Sequence, residues 1–489
     1  MEQHPESPKK SLALLTDLYQ LTMACAYWKS GTAEKEAIFQ LFFRVPPFGG
    51  GFTIAAGLGQ AIEYLREFKF QDSDLAYLAT IQGHDHKALF DPDFLDYLGR
   101  VRFACDLDAV PEGAVVFPHE PLIRVQGPIL QGQLIETALL NFLNFQSLIA
   151  TKAARICQAA QGDPVVEFGL RRAQGIDGGL TASRAAYIGG CSGTSNVLAG
   201  NAYGIPVMGT HAHSWVMSFG SELESFAVYA KALPNNCIFL VDTYNSLEGV
   251  RHAVEVGQKL REQGHELAGI RLDSGDLAFL SIEARKILDE AGFRNSVIVA
   301  SNDLDEHIIE SLKTQGAAIN VWGVGTRLVT AYDHPALGCV YKLTAIRNPD
   351  GSWDNKVKAS EHAAKSTTPG VQQVRRFSAD GEYIGDAIYD IRKPLPDPVT
   401  IVDPADSTRR KHFAPGSQGE DLLVPIFRGG RLTYHEPALA DIRARAQQQL
   451  GMLHPGIKRL INPHSYPTGF ELGLHELKTR LLLEAHGGH

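Results

Sequence analysis

The 489-residue chain has few cysteines and no long apolar run, and each shortage removes a class of protein. No window approaches the roughly 18 uncharged apolar residues of a membrane-spanning helix, so no span is expected. The start, MEQHPESPKKSLALLTDLYQ, is polar and then amphipathic, without the apolar core and small-residue cleavage site of a secretory signal. Six scattered cysteines (Cys25, Cys105, Cys157, Cys191, Cys237, Cys339) form no C-x-x-C pair. That is the usage of a cytoplasmic chain with reduced thiols, not of a disulfide or zinc scaffold. Lys and Arg total 46 against 55 Asp and Glu, the formal net charge is −9, and no polybasic tract occurs. Neither nucleic acid nor an anionic membrane is therefore expected as a partner, and an anionic substrate would need a local cationic pocket.

What is present is an ordinary enzyme composition, 44% hydrophobic and 21% charged, in a chain longer than one core usually serves. Residues 1–160 mix helices and strands: SLALLTDLYQLTMACAYWKSG keeps helical spacing up to Gly31, AIFQLFFRV reads as a strand, and LIETALLNFLNFQSLIATKAARICQAAQG reads as a long helix. Through 161–346 the short apolar runs PVVEF, IPVMG, CIFLV, GIRL, SVIVA, AINVW and CVYKL recur, most of them separated by helical stretches closed with glycine. This alternation means βαβ units and a parallel sheet, and so many strands in succession favour a closed barrel over an open sheet. In 347–489 the regularity lapses into turn formers and edge strands before two amphipathic helices. That segment is expected to pack on the N-terminal part as an α+β second domain.

Side chains at the carboxyl ends of such strands build active sites. Those positions hold Gly169, Arg171 and Arg172; Thr210, His211 and His213; Asp242 and Thr243; Arg271, Asp273, Ser274 and Asp276; Ser301, Asn302 and Asp303; Gly323, Gly325 and Thr326. A Gly-rich turn after a strand can cradle phosphate with its N–H groups, Arg271 offers a planar fork to an anion, and Asp276 suits a helix N-cap. The His-x-His of PVMGTHAHSW is open to three readings: a metal clamp, a catalytic pair, or one working histidine beside a bystander. Barrel metal hydrolases carry such a pair on the first strand with further ligands on later ones. Here it falls on the second, no later strand ends in histidine, and a closed ligand shell is not readily assembled.

Several long motifs occur together and in order: TDLYQLTMA, EFGLRRAQGIDGGLTASRAAYIGGCSGTSNVLAG, YGIPVMGTHAHSWVMSF, LVDTYNSLEGV, RLDSGDL, SNDLDE and GVGTRLVT, with NPHSY and LHELKTRLL near the end. Over nearly its whole length the chain thereby resembles nicotinate phosphoribosyltransferase. The resemblance implies a type II phosphoribosyltransferase: an incomplete TIM-like α/β barrel plus an α+β domain from both termini, working as a homodimer. It implies transfer of nicotinate to 5-phosphoribosyl 1-diphosphate with ATP hydrolysis, giving nicotinate mononucleotide, pyrophosphate, ADP and phosphate for NAD synthesis. Magnesium is implied, held largely by substrate phosphates. His213 matches the histidine that ATP phosphorylates, while the position of His211 is free to vary.

By the same resemblance, Phe168 and Tyr19 sandwich the pyridine ring, Tyr19 reaching in from the partner subunit. Arg271 and Thr210 bind the nicotinate carboxylate or adjoining ring edge. Asn302, Asp303, Gly323, Gly325 and Thr326 hold the ribose and its 5-phosphate, Arg171 contacts a phosphate, and Asp273 supplies fixed charge as the bond to pyrophosphate breaks. The nicotinamide-using relative carries an aspartate where this chain has Ser195. That enzyme remains the rival within the class; a metal hydrolase using His211 and His213, or a barrel that only binds pyridine nucleotides, remains the rival outside it.

Overall fold

The computed structural model describes residues 12–360 and 366–487, which divide into two units. The first takes the chain up to Ser147, Ala336–Ala438 and the segment from Gln448; the second is Leu148–Pro335 with Leu439–Gln447.

The second unit is built on a six-stranded sheet, in the order Gly193–Thr194, Val165–Glu167, Val321–Val324, Val297–Ser301, Gly269–Leu272, Ile238–Leu240. Every pairing is parallel; Val299, for example, lies between Arg271 and Val321. Such strands are covered on both faces, which is why they read as short β-branched runs without alternation. Three of the crossover helices begin on a side-chain cap: Asn245 accepts from Glu248 N, Asp276 from Phe279 N, and Asp305 from His307 N and Ile308 N. These caps fix where their strand-end loops stop, and so where the polar side chains of those loops are held.

Three expectations fail here. The sheet does not close: among the described residues nothing pairs Gly193–Thr194 with Ile238–Leu240, and both remain edges. IPVMG, counted as a strand, makes only one bridge, Thr194 to Val207. Pro206 has no N–H to donate, so the segment accepts at Pro206 O from Thr194 N, donates from Met208 N to Thr194 O, and pairs no further. CVYKL, the last of the counted runs, is not in this sheet at all. Val340–Arg347 pairs antiparallel with Glu36–Phe42 in the first unit. It is covered unevenly: Tyr341, Thr344 and Ala345 are buried, while Val340, Lys342, Leu343 and Ile346 are partly exposed, as an antiparallel strand need not be covered on both faces.

The first unit carries a seven-stranded antiparallel sheet: Trp353–Asn355, Val340–Arg347, Glu36–Phe42, Ile123–Pro128, Asp106–Ala109, Val424–Arg428 and Arg431–Leu432 in spatial order. A second, mixed six-stranded sheet is centred on Gln372–Ala379 and Glu382–Asp390. Beneath it, fully buried Arg376 grips Asp386 at 2.6 Å, and Asp386 also accepts from Tyr466 Oη at 2.8 Å. Burial and the neighbouring Asp386 push the Glu120 carboxyl, 4.0 Å from the same guanidinium, well up. The helix Leu18–Lys29 ends as its sequence predicts, with Ser30 as C-cap and Gly31 at φ 67°. Among the described residues no helix is long and apolar enough to cross a membrane, and all six cysteines are unpaired.

Candidate active site

The strand ends of the second unit gather one connected polar group. Arg271, on Gly269–Leu272, donates from Nε to Ser301 Oγ at 2.8 Å, from Nη1 to Thr210 Oγ1 at 3.3 Å and from Nη2 to Asp273 Oδ1 at 2.9 Å. Ser301 Oγ also donates to Asp273 Oδ1. Burial raises the Asp273 carboxyl, but the Ser301 hydroxyl and the Arg271 guanidinium outweigh it and leave the group below its ordinary value, hence ionised. Asp242 Oδ2 accepts from Asp273 N at 3.0 Å and from Ser274 Oγ at 2.6 Å. Its other oxygen, Oδ1, is buried with no hydrogen-bond partner.

The two histidines part company. His213 opens the short helix His213–Met217, is 39% exposed, and sets Nδ1 at 3.1 Å from Thr243 Oγ1. Its Nε2 lies 3.8 Å from Asp273 Oδ2 and 4.0 Å from the unpartnered Asp242 Oδ1. His211 is only 8% exposed, with its ring among Phe226, Tyr229 and Phe239, and its Nε2 accepts from Leu240 N at 3.3 Å. That nitrogen is committed to the backbone, so the pair cannot act as a clamp. Among the described residues no group of three or more His, Cys, Asp or Glu could hold a metal by itself. The metal-hydrolase reading fails on both counts.

Burial pushes the His211 imidazole down to about 4, so the folded chain holds it neutral. With an unfolded value near about 6.5, the stability this group contributes is complete above that pH and is lost progressively as pH falls toward about 4. His211→Gln is expected to remove roughly 1 kcal/mol of the stability difference between about pH 7 and pH 5, read from urea unfolding. An identical pH dependence in both chains would show that the ring is not held neutral.

Phe168 follows Val165–Glu167, its ring 5.5 Å from the Arg271 guanidinium carbon. A Cβ on Gly323 would come within 2.6 Å of that ring, so the glycine makes the ring's position possible. Gly325 is the N-cap of the turn Thr326–Val329, and a Cβ there would crowd Phe168 O at 3.1 Å. Asn302 and Asp303 both have positive φ, 116° and 38°, a strained pair of the kind that collects at functional strand ends. The next acid, Asp305, pairs with Arg327 of GVGTR, tying the two loops together.

Arg171 is exposed on the turn Leu170–Arg172, without a partner among the described residues. Ser195 gives its N–H to Glu167 O at 2.9 Å, but the cap of the following helix is Asn196, whose side chain accepts from Ala199 N. Tyr19 belongs to the first unit, 48% exposed. Sequence reasoning gave no role to Asp242, Thr243 or Ser301, although each stands at a strand end. It passed over Glu167, fully buried and accepting from Ser183 Oγ, Thr194 Oγ1 and Gly169 N, because a carboxylate inside a strand carries no local signal.

A parallel sheet that presents a guanidinium, carboxylates, an open histidine and glycine-opened loops at its carboxyl edge defines an enzyme acting on small anionic substrates. Known proteins narrow this further. The nicotinate phosphoribosyltransferase (NAPRTase) N-terminal domain matches residues 14–144, the nicotinate phosphoribosyltransferase family 164–377, and its C-terminal domain 372–478. The nicotinate phosphoribosyltransferase of Bacillus subtilis is 45% identical over 96% of this chain and 97% of its own, and that of Bos taurus 36% over 98% of each. The crystal structure of human nicotinic acid phosphoribosyltransferase superposes with a TM-score of 0.83 at 34% identity, over 95% of this chain and 99% of that one. The chain belongs to the nicotinate phosphoribosyltransferase family, enzymes of NAD biosynthesis.

Proposed function

We propose that this chain joins nicotinate to 5-phosphoribosyl 1-diphosphate and couples the step to ATP hydrolysis through phosphorylation of His213. The observation that carries this reading is the setting of His213: one ring nitrogen held by Thr243, the other open beside two carboxylates at the strand ends. With Nδ1–H donating to Thr243, Nε2 keeps its lone pair and attacks the terminal phosphorus of ATP; a N–P bond forms and the P–O bond to ADP breaks. Magnesium fits this place, because the unpartnered Asp242 Oδ1 and Asp273 Oδ2 would otherwise repel an incoming phosphate. These two carboxylates would hold it together with substrate phosphates, and when bound it neutralises phosphate charge.

For the acceptor, Phe168 offers a stacking face and Tyr19 of the partner subunit the opposite one in a homodimer with a shared site. Three of the five Arg271 N–H donors are spent on Ser301, Thr210 and Asp273, and the remainder serve the nicotinate carboxylate beside Thr210. Asn302, Asp303, Gly323, Gly325 and Thr326 hold the ribose and 5-phosphate, and exposed Arg171 a further phosphate. Catalysis is assigned to the parallel-sheet unit, whose main segment ends at Pro335 rather than 346, and the remainder of 1–160 and 347–489 to an α+β domain. The parallel strands with the Val207 bridge are read as an incomplete TIM-like barrel, and the unpaired thiols fit a cytoplasmic enzyme.

The test is pyrophosphate release from phosphoribosyl diphosphate with nicotinate against nicotinamide, each with and without ATP. Release with nicotinate, stimulated by ATP, is expected; preference for nicotinamide would overturn the assignment. Ser195 gives a sharper version. A carboxylate there repels the nicotinate carboxylate; two like charges about 4 Å apart cost about 4 kcal/mol at an effective dielectric of about 20. Ser195→Asp is therefore expected to lower catalytic efficiency with nicotinate at least about tenfold, which needs only about 1.4 kcal/mol, and to spare nicotinamide. An unchanged ratio between the two substrates would place Ser195 outside the pocket.

A further inference from the structure

The first unit holds a cavity of about 310 Å³ between the strand Glu382–Asp390, the strand Arg410–His412 and the loop from His454 to Pro467. The catalytic reading makes no use of it. Four of the side chains that line it are basic, Lys411, His454, Arg459 and His464, and none is a carboxylate. In a chain of net charge −9 this is a local reversal of sign. Behind the wall, Tyr466 Oη donates to Asp386, whose charge is already matched by Arg376. The rest of the lining is largely apolar, with Ile384, Ile457 and Pro467 among it.

The basic groups are arranged by the backbone. Gly456 N donates to His454 Nδ1 at 3.1 Å, so in the neutral ring Nε2 carries the proton and is a donor. Gly456 O accepts from His464 N at 2.8 Å, which folds the loop back on itself. A Cβ on Gly456 would stand 3.1 Å from His454 Nδ1 and 3.4 Å from His464 Cβ, so the glycine lets both histidines share one wall. Lys411 is tethered through its ammonium to Ile384 O.

We propose that this cavity is a second ligand site, which takes a phosphate monoester on a nucleoside-sized body. The phosphate meets Arg459, Lys411 and the two histidines, and the body lies on the apolar part. A volume of about 310 Å³ is at the lower end of small-molecule sites, roughly 300–1,000 Å³. Inorganic phosphate would leave the apolar lining unused, and a bare nucleoside would leave four basic groups unmatched.

The test is binding of adenosine 5′-monophosphate, adenosine and inorganic phosphate to the full chain by calorimetry. Adenosine and phosphate are each expected to bind at least about tenfold more weakly than the monophosphate. Arg459→Glu and His464→Ala, both at exposed positions, should each weaken the monophosphate by at least about tenfold, while Arg271→Ala at the strand-end site should leave it within about twofold. The proposal is overturned by unchanged affinity in both cavity variants, or by phosphate binding as tightly as the monophosphate. It is overturned equally if the monophosphate does not bind and Arg459→Glu lowers the mass in light scattering, since a second copy of the chain then covers the cavity.

Discussion

His213→Ala is expected to abolish ATP hydrolysis and the ATP stimulation of nucleotide synthesis, while slow ATP-independent transfer persists. The argument is one of accessibility: Nε2 of His213 is the ring nitrogen that faces the carboxylates at the strand ends, 3.8 Å from Asp273 Oδ2 and 4.0 Å from Asp242 Oδ1, beyond hydrogen-bond distance of either. Phosphorylation there would place nearly two negative charges next to Asp242 and Asp273, changing how firmly a cation and the diphosphate are held. His211→Ala separates local damage from lost chemistry. It leaves Leu240 N without its acceptor, costing about 1–3 kcal/mol of stability, yet should keep ATP coupling within a few-fold. Equal loss of coupling in both variants, accompanied by bound zinc, would sink the phosphoryl-acceptor assignment and revive the clamp.

The difference between those two histidines shows what the sequence could carry. The boundary at Asp276 was legible because a cap is local, announcing its helix within three residues; Asn245 and Asp305 carry the same signal and were not used. The strand-end polar residues were legible for the same reason, since a short apolar run followed by Asp, Ser or Thr marks the place. What surrounds His211 is not local. Phe226, Tyr229 and Phe239 come from a later helix and strand, so its burial could be learned only from the fold. The open sheet was missed because counting apolar runs ignores whether each pairs on both sides, and IPVMG makes only the one bridge, from Val207 to Thr194. CVYKL was misassigned because Lys342 in its middle, a sign of a one-sided strand, was given less weight than its spacing. The Asp305–Arg327 pair, joining the Asn302–Asp303 turn to GVGTR, needed both loops in place before it could be seen.

Arg271→Ala is expected to raise the nicotinate KM by roughly 100-fold or more, a loss of about 2.7 kcal/mol. A hydrogen bond to a charged group is worth about 1.5–3 kcal/mol, and a guanidinium can offer a carboxylate more than one. The loss should fall mainly on KM, since the carboxylate is not the reacting atom and is held alike in ground and transition states. Turnover should fall as well, because Arg271 is one of the groups that keep Asp273 ionised and in place. Arg271→Lys separates these effects. It restores a positive charge near Asp273 but not the fork that reaches Ser301, Thr210 and Asp273 together, so turnover should recover more than KM. With nicotinamide as substrate, which has no carboxylate to lose, Arg271→Ala should change KM much less. If KM and turnover for nicotinate are both unchanged in Arg271→Ala, the carboxylate binds elsewhere and the pocket built on Phe168 and Arg271 is wrong.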